Sequence, residues 1–189
     1  FALAFHERFP RSELELQTVR WDLPPRLLRS GQVDLFAGDV EDQALQREFE
    51  VIPVVQERVA CACASTHPVA RRKQPTLAEA FAYPLVLPSL PQWARQWLRR
   101  SMPDTDPRES PALIQTEDYR LIRDILLGGT HVTFGFPSFF REDVVAGRIV
   151  CLDLAKAPTT RAGAVVLKGG TRSPELAGAI DILRGLGDG

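Results

Sequence analysis

The sequence predicts an α/β protein of two lobes joined by a double crossing. Three observations carry this. Short apolar runs of strand character alternate with segments of helical period along nearly the whole chain, the pattern of a largely parallel sheet with helices on both faces. Two extended stretches, near 57–66 and 152–164, read as crossings from one lobe to the other and back. The 189 residues are 44% hydrophobic and 25% charged, enough apolar material for a folded core and too much for a disordered tail.

Phe1, Phe5 and Phe9 recur at a spacing of four and predict a helix over 1–9, ended by Pro10-Arg11. Glu13 to Val19 alternates, with Leu14 and Leu16 on one face, and predicts a strand. Asp22 is placed to cap a helix that tolerates Pro24 and Pro25 in its first turn and stops at Gly31. Val33 to Ala37 is a short apolar run, expected as a central parallel strand. A second stretch runs from Val51 to Ala64, its last part, Glu57 to Ala64, long and extended, and Ser65 to Pro68 turns the chain into the second lobe.

There, Thr76 caps a helix to Phe81, Pro84 to Leu87 is a strand, and Pro91 to Arg100 is a helix with Trp93 and Trp97 on one face. A loop covers Pro103 to Ser110, followed by a strand over Pro111 to Gln115. Thr116 caps a helix with the stripe Leu121, Ile122, Ile125 and Leu126, which Gly128-Gly129 ends. His131 to Phe136 is a strand, and Pro137 opens another helix. Arg148 to Leu152 and Ala162 to Leu167 are strands, and Ser173-Pro174-Glu175 starts the last helix, striped by Leu176, Ile180 and Leu183. Residues 1–63 and 162–189 are assigned to lobe I and 64–161 to lobe II.

Composition excludes several functions. Lys and Arg total 23 against 24 Asp and Glu, a net charge of −1, which does not supply the clustered positive charge that phosphate binding needs. The longest uncharged run, Ile125 to Phe140, has 16 residues and is broken by glycines, a histidine and a proline, so no membrane span is expected. Three cysteines cannot all pair, which fits a reducing, cytoplasmic setting. Cys61-x-Cys63-x-x-x-His67 offers at most three metal ligands and reads as buried core rather than a closed zinc site. Cys151 with His131 has nothing in sequence to activate a nucleophile, and no catalytic set, cofactor or metal is expected. No phosphate-binding glycine motif is complete.

In open α/β sheets ligands sit beyond the carboxyl ends of strands. Here those ends are Gly38-Asp39, Pro88-Ser89, Gln115-Thr116 and Phe136-Pro137. Ser89 precedes a helix, where free N–H groups and the positive dipole end favour an anion, and it serves equally well as a plain cap. Thr116 carries the same two readings. Asp39 suits an amine or hydroxyl, or a solvated turn, so the charge of the ligand stays open.

Phe5-x-x-x-Phe9-Pro10, Glu13-Leu14-x-Leu16 and Leu28-x-x-Gly31-x-Val33-Asp34-Leu35 together resemble the effector-binding domain of LysR-type transcriptional regulators. His67-Pro68-Val69-Ala70, Thr76-Leu77 with Tyr83-Pro84-Leu85-Val86, the Gly129 to Pro137 segment and Gly147-Arg148-Ile149-Val150-x-Leu152 resemble further pieces of that domain in the same order. The resemblance implies two Rossmann-like lobes joined by two crossover strands, like type 2 periplasmic binding proteins. It also implies a small-molecule effector in the interlobe cleft and no catalysis. Contacts are expected at Gly38, Asp39, Pro88, Ser89, Thr116, Phe136 and Pro137. His131, standing where the family usually has a second glycine, either narrows the cleft or joins the contacts. The family's N-terminal winged helix-turn-helix and the first strand of the effector domain are absent from this stretch, so DNA contact is expected only through that missing domain, in a homodimer or homotetramer. The alternative is a solute-binding protein of an importer with the same bilobal plan.

Overall fold

The structure, a computed structural model, describes residues 1–41, 45–101 and 113–187. The elements run α1 (Ala2–Arg8), α2 (Pro24–Arg29), β1 (Phe36–Asp39), α3 (Leu45–Glu48), β2 (Phe49–Arg58), β3 (Ala60–Ala64), α4 (Leu77–Phe81), β4 (Leu85–Leu87) and α5 (Gln92–Ser101). They continue with β5 (Leu113–Gln115), α6 (Tyr119–Leu127), β6 (Val132–Gly135), α7 (Arg141–Val145), β7 (Ile149–Asp153), β8 (Thr159–Leu167) and α8 (Pro174–Gly187). Short 3-10 turns cover Pro68–Arg71 and Pro137–Phe140. The chain forms two compact units, Phe1–Gln56 with Thr160–Gly189, and Glu57–Thr159. Strand β3 belongs to the second unit's sheet.

The first unit holds a three-stranded sheet in the order β1-β8-β2. Strand β8 alternates its faces: Val165 packs with Leu28, Val40 and Phe49, while Ala164 and Val166 pack with Ile52 and Ile180. Helices α2 and α8 therefore contribute to opposite faces, as period-2 alternation requires. The Phe1, Phe5 and Phe9 rings follow one another along α1, with Phe5 buried. Phe9 lies against Gly178 of α8, where any larger residue would strike the ring.

The second unit is built on five strands in the order β5-β4-β6-β3-β7. Strands β5, β4 and β6 run parallel, and β3 is antiparallel to both β6 and β7. All five residues of β3 are buried. Cys61 and Cys63 join one core with Leu85, Leu87, Phe81 and Leu98, whereas Ala62 joins the other with Val86, Ile122, Leu126 and Ile149. Thr76 and Glu79 form the reciprocal cap that starts α4.

Several local expectations are corrected. Glu13–Val19 carries no ladder among the described residues, and Leu16 is 62% exposed, because alternation sets an extended backbone but a strand also needs a partner. Asp22 does not cap α2; it holds Arg20 through two hydrogen bonds of 2.7 and 2.6 Å, and Leu23 takes the cap position. The Val33–Ala37 run yields a strand at Phe36–Asp39 that is antiparallel to β8 and stands at one end of its sheet. Thr116 is not the cap of α6. Asp118 is, accepting from the Arg120 and Leu121 amides at 2.8 and 3.3 Å, while Thr116 Oγ1 accepts from the Asp118 amide. The expected loop at Pro103–Ser110 and the first two residues of the next strand lie outside the described residues.

Candidate functional site

The parallel strands β4, β5 and β6 deliver their carboxyl ends to one side of the second unit's sheet. This brings Pro88-Ser89, Thr116 and Phe136-Pro137 together, all half-buried. The first two segments are laced to each other. The Thr116 amide donates to the Leu87 carbonyl at 3.1 Å, and Gln115 Nε2 donates to Ser89 Oγ at 3.3 Å. The Ser89 amide, the donor expected to face an anion, instead donates to the Glu117 carboxylate at 3.0 Å. At the end of β6 the Ser138 amide likewise donates to the Glu57 carboxylate at 3.0 Å. Pairing of Ala60 with Gly135 accounts for the second contact, because continuing that antiparallel register sets Glu57 opposite Ser138.

Aromatic rings lie beside these groups. Tyr119 and Phe139 have centroids 4.2 Å apart, and Phe139 and Phe136 are 5.5 Å apart. Phe139 is 47% exposed, a large apolar face left open at the strand ends. Glu57, Glu117, Tyr119 and Phe139 were not singled out from sequence. Glu117 and Tyr119 lie one and three residues after the strand-end Thr116, and that position was the one signal that could have marked them.

His131 does not join this group. It precedes β6, whereas Phe136 follows it, so the two stand at opposite ends of a strand, roughly 16 Å apart at about 3.3 Å per residue. Its Nδ1 lies 2.9 Å from Thr130 Oγ1, and it is close enough to His67 to disfavour a charge there. His67 itself is buried; its Nδ1 accepts from the Val69 amide at 3.2 Å, and its ring meets Tyr83 edge-on. Burial lowers its pKa.

In the first unit, Gly38 pairs with Gly163 across β1 and β8, and a side chain at Gly38 would meet the Phe36 ring. Asp39 accepts from the Glu41 amide at 3.0 Å and from Thr160 Oγ1 at 3.3 Å. Glu41 in turn holds the Arg161 guanidinium and amide, and Arg161 keeps its carboxyl below the usual range.

The cysteines are core residues in the free thiol form. Burial pushes the Cys61 thiol far up, Cys63 to about 12 and Cys151 to about 11, so none is poised as a nucleophile. Among the described residues no group of His, Cys, Asp and Glu could hold a metal ion, and no helix is long and apolar enough to cross a membrane. Arg71, Arg72 and Lys73 are exposed, with Arg72 3.7 Å from Glu79. On α5 the half-buried Trp93 and Trp97 flank the buried Ala94 and Leu98, while Arg95 and Arg99 are exposed.

The family model described as the LysR substrate binding domain matches residues 2–187. The chain belongs to this family. It is the ligand-sensing regulatory domain of a LysR-type regulator, and the importer alternative is not favoured. The fold of this LysR domain is similar to the regulatory domain of MetR, a LysR family regulator from N. meningitidis. That similarity has 16% identity and a TM-score of 0.73, over 99% of this chain and 85% of that one. It is also similar to the regulatory domain of HypT from Salmonella typhimurium, solved with bromide, at 20% identity and a TM-score of 0.65 over 99% and 90% of the two chains. A third likeness is to the Synechocystis CcmR regulatory domain in complex with 2-PG, at 13% identity and a TM-score of 0.71 over 98% and 88%. No curated protein matches the chain.

Proposed function

We propose that this LysR domain binds its small-molecule effector at the carboxyl ends of β4, β5 and β6, through Pro88, Ser89, Thr116, Phe136 and Pro137. The observation that carries this is their convergence: three parallel strands of a ligand-sensing domain end together, beside half-buried polar groups and an open aromatic face. In the first unit taken by itself, effector contact is proposed at Gly38 and Asp39; His131 stands at the opposite end of β6 from Phe136. The domain's role is sensing rather than catalysis, and its buried thiols do not serve as nucleophiles. In the intact cytoplasmic protein, a homodimer or homotetramer, effector binding shifts the geometry of an N-terminal DNA-binding domain. It does so by the difference in its affinity for the two states.

The test is a thermal-shift screen of small acids, amino acids, amines and aromatics, followed by titration of the hits. Ser89→Ala, Thr116→Ala and Phe136→Ala are each expected to weaken a hit by about tenfold, the loss of one good contact. An affinity unchanged in all three places the effector elsewhere. Asp39→Ala in the same titration measures what the first unit adds.

A further inference from the structure

The strand ends of the second unit have a chemistry opposite to that of an anion site. Backbone amides at such ends are the usual donors to a carboxylate or phosphate. Here the Ser89 amide is taken by Glu117 and the Ser138 amide by Glu57, each at 3.0 Å. Neither glutamate forms an ion pair among the described residues. An incoming anion would therefore find these two amides already engaged by carboxylates. Glu57 also holds an unmet demand. Its Oε2 accepts from Ser138, but its Oε1 is buried with no hydrogen-bond partner. A buried acceptor without a donor is costly, and a carboxylate oxygen more so than a neutral one. The third observation is independent of the carboxylates. Tyr119, Phe139 and Phe136 form a contiguous run of rings with Phe139 open to solvent, and aromatic faces attract cations through their quadrupoles.

We infer that the effector of this domain carries a positively charged nitrogen, an ammonium or guanidinium, received by Glu57 and Glu117 beside the rings of Tyr119, Phe136 and Phe139. This inference rests on the site proposed above and names the class of its ligand. An N–H of that cation donates to the glutamate carboxylates. The bond is charge-assisted at both ends, and the rings replace part of the water the cation gives up.

The experiment titrates the domain with three probes: putrescine for the ammonium, agmatine for the guanidinium and succinate as a dicarboxylate of similar length. Putrescine or agmatine is expected to bind at least about tenfold tighter than succinate. Glu57→Gln and Glu117→Gln keep an acceptor for the Ser138 and Ser89 amides while removing the charge. Each is expected to weaken the amine about tenfold and to narrow the preference over succinate. Phe139→Ala is expected to weaken the amine about threefold and leave succinate unchanged. Succinate binding tighter than both amines, or no amine binding at millimolar concentration, overturns the inference. If succinate binds and its affinity falls in Thr116→Ala, the site stands and only the charge assignment fails. If an amine binds with no change in Glu57→Gln, Glu117→Gln and Thr116→Ala, the site itself is misplaced.

Discussion

Asp143 shows how a single charge organises the second unit. Its side chain is only 4% exposed. Arg123 reaches it from α6 with two hydrogen bonds of 2.6 and 2.8 Å, and Arg148, at the start of β7, adds a third at 2.7 Å. The hydrogen bonds from Arg123, with Arg148 in support, outweigh burial and hold the carboxyl below its usual pKa. A depressed carboxyl pKa contributes stability that is present above the unfolded value of about 3.9 and is lost as pH falls through the folded value. Asp143→Asn is expected to cost about 2 kcal/mol, less than a fully buried pair because both guanidiniums are partly exposed. Urea unfolding at neutral pH measures it, and the difference between the two proteins should shrink as the pH falls below the unfolded carboxyl value of about 3.9. A variant as stable as the parent at neutral pH would show that the clamp contributes nothing.

Among the elements, β8 is the most constrained. Gly163 pairs with Gly38 on β1, and a Cβ at Gly163 would collide with the backbone carbonyl of Ile52 on β2. The obstacle is main chain, so it cannot swing aside as a side-chain tip would. Gly163→Ala is expected to destabilise the first unit by about 1–3 kcal/mol, the usual range for overpacking, although alanine is otherwise better suited than glycine to a strand. A shift in the urea midpoint at constant slope reports this. An unchanged midpoint would mean that β2 and β8 separate at no cost. The Gly38–Gly163 pairing and the Phe36 ring already explain a glycine at position 38, so its small size is not evidence of a ligand contact.

For the molecule as a whole, the two units have different centres of stability. The second is built around β3, buried along its length and paired on both edges by β6 and β7. Native-state amide exchange should therefore be slowest at Cys61, Ala62 and Cys63, approaching the global opening free energy. Faster exchange there than at β5, whose three residues are exposed, would contradict that assignment. The proposed ligand groups stand at the ends of β4, β5 and β6, of which β6 pairs with β3, an arrangement that would let loops sense while the sheet under them stays closed.

Local pattern alone was enough for the alternation of helices and strands, the capping Thr76, the buried Cys61 and Cys63 and the strand-end positions Ser89, Thr116 and Phe136. Each depends on neighbours within a turn or a pleat, and period and cap chemistry report such neighbours directly. Strand direction was not legible, because a buried apolar run looks the same whether its partner is parallel or antiparallel, and Glu13–Val19 looked like a strand although it joins no sheet among the described residues. The charge of the candidate site was beyond reach for the same reason. Glu57 meets Ser138 across 81 residues of sequence and Glu117 meets Ser89 across 28, so only folding decides which donors remain free for a ligand.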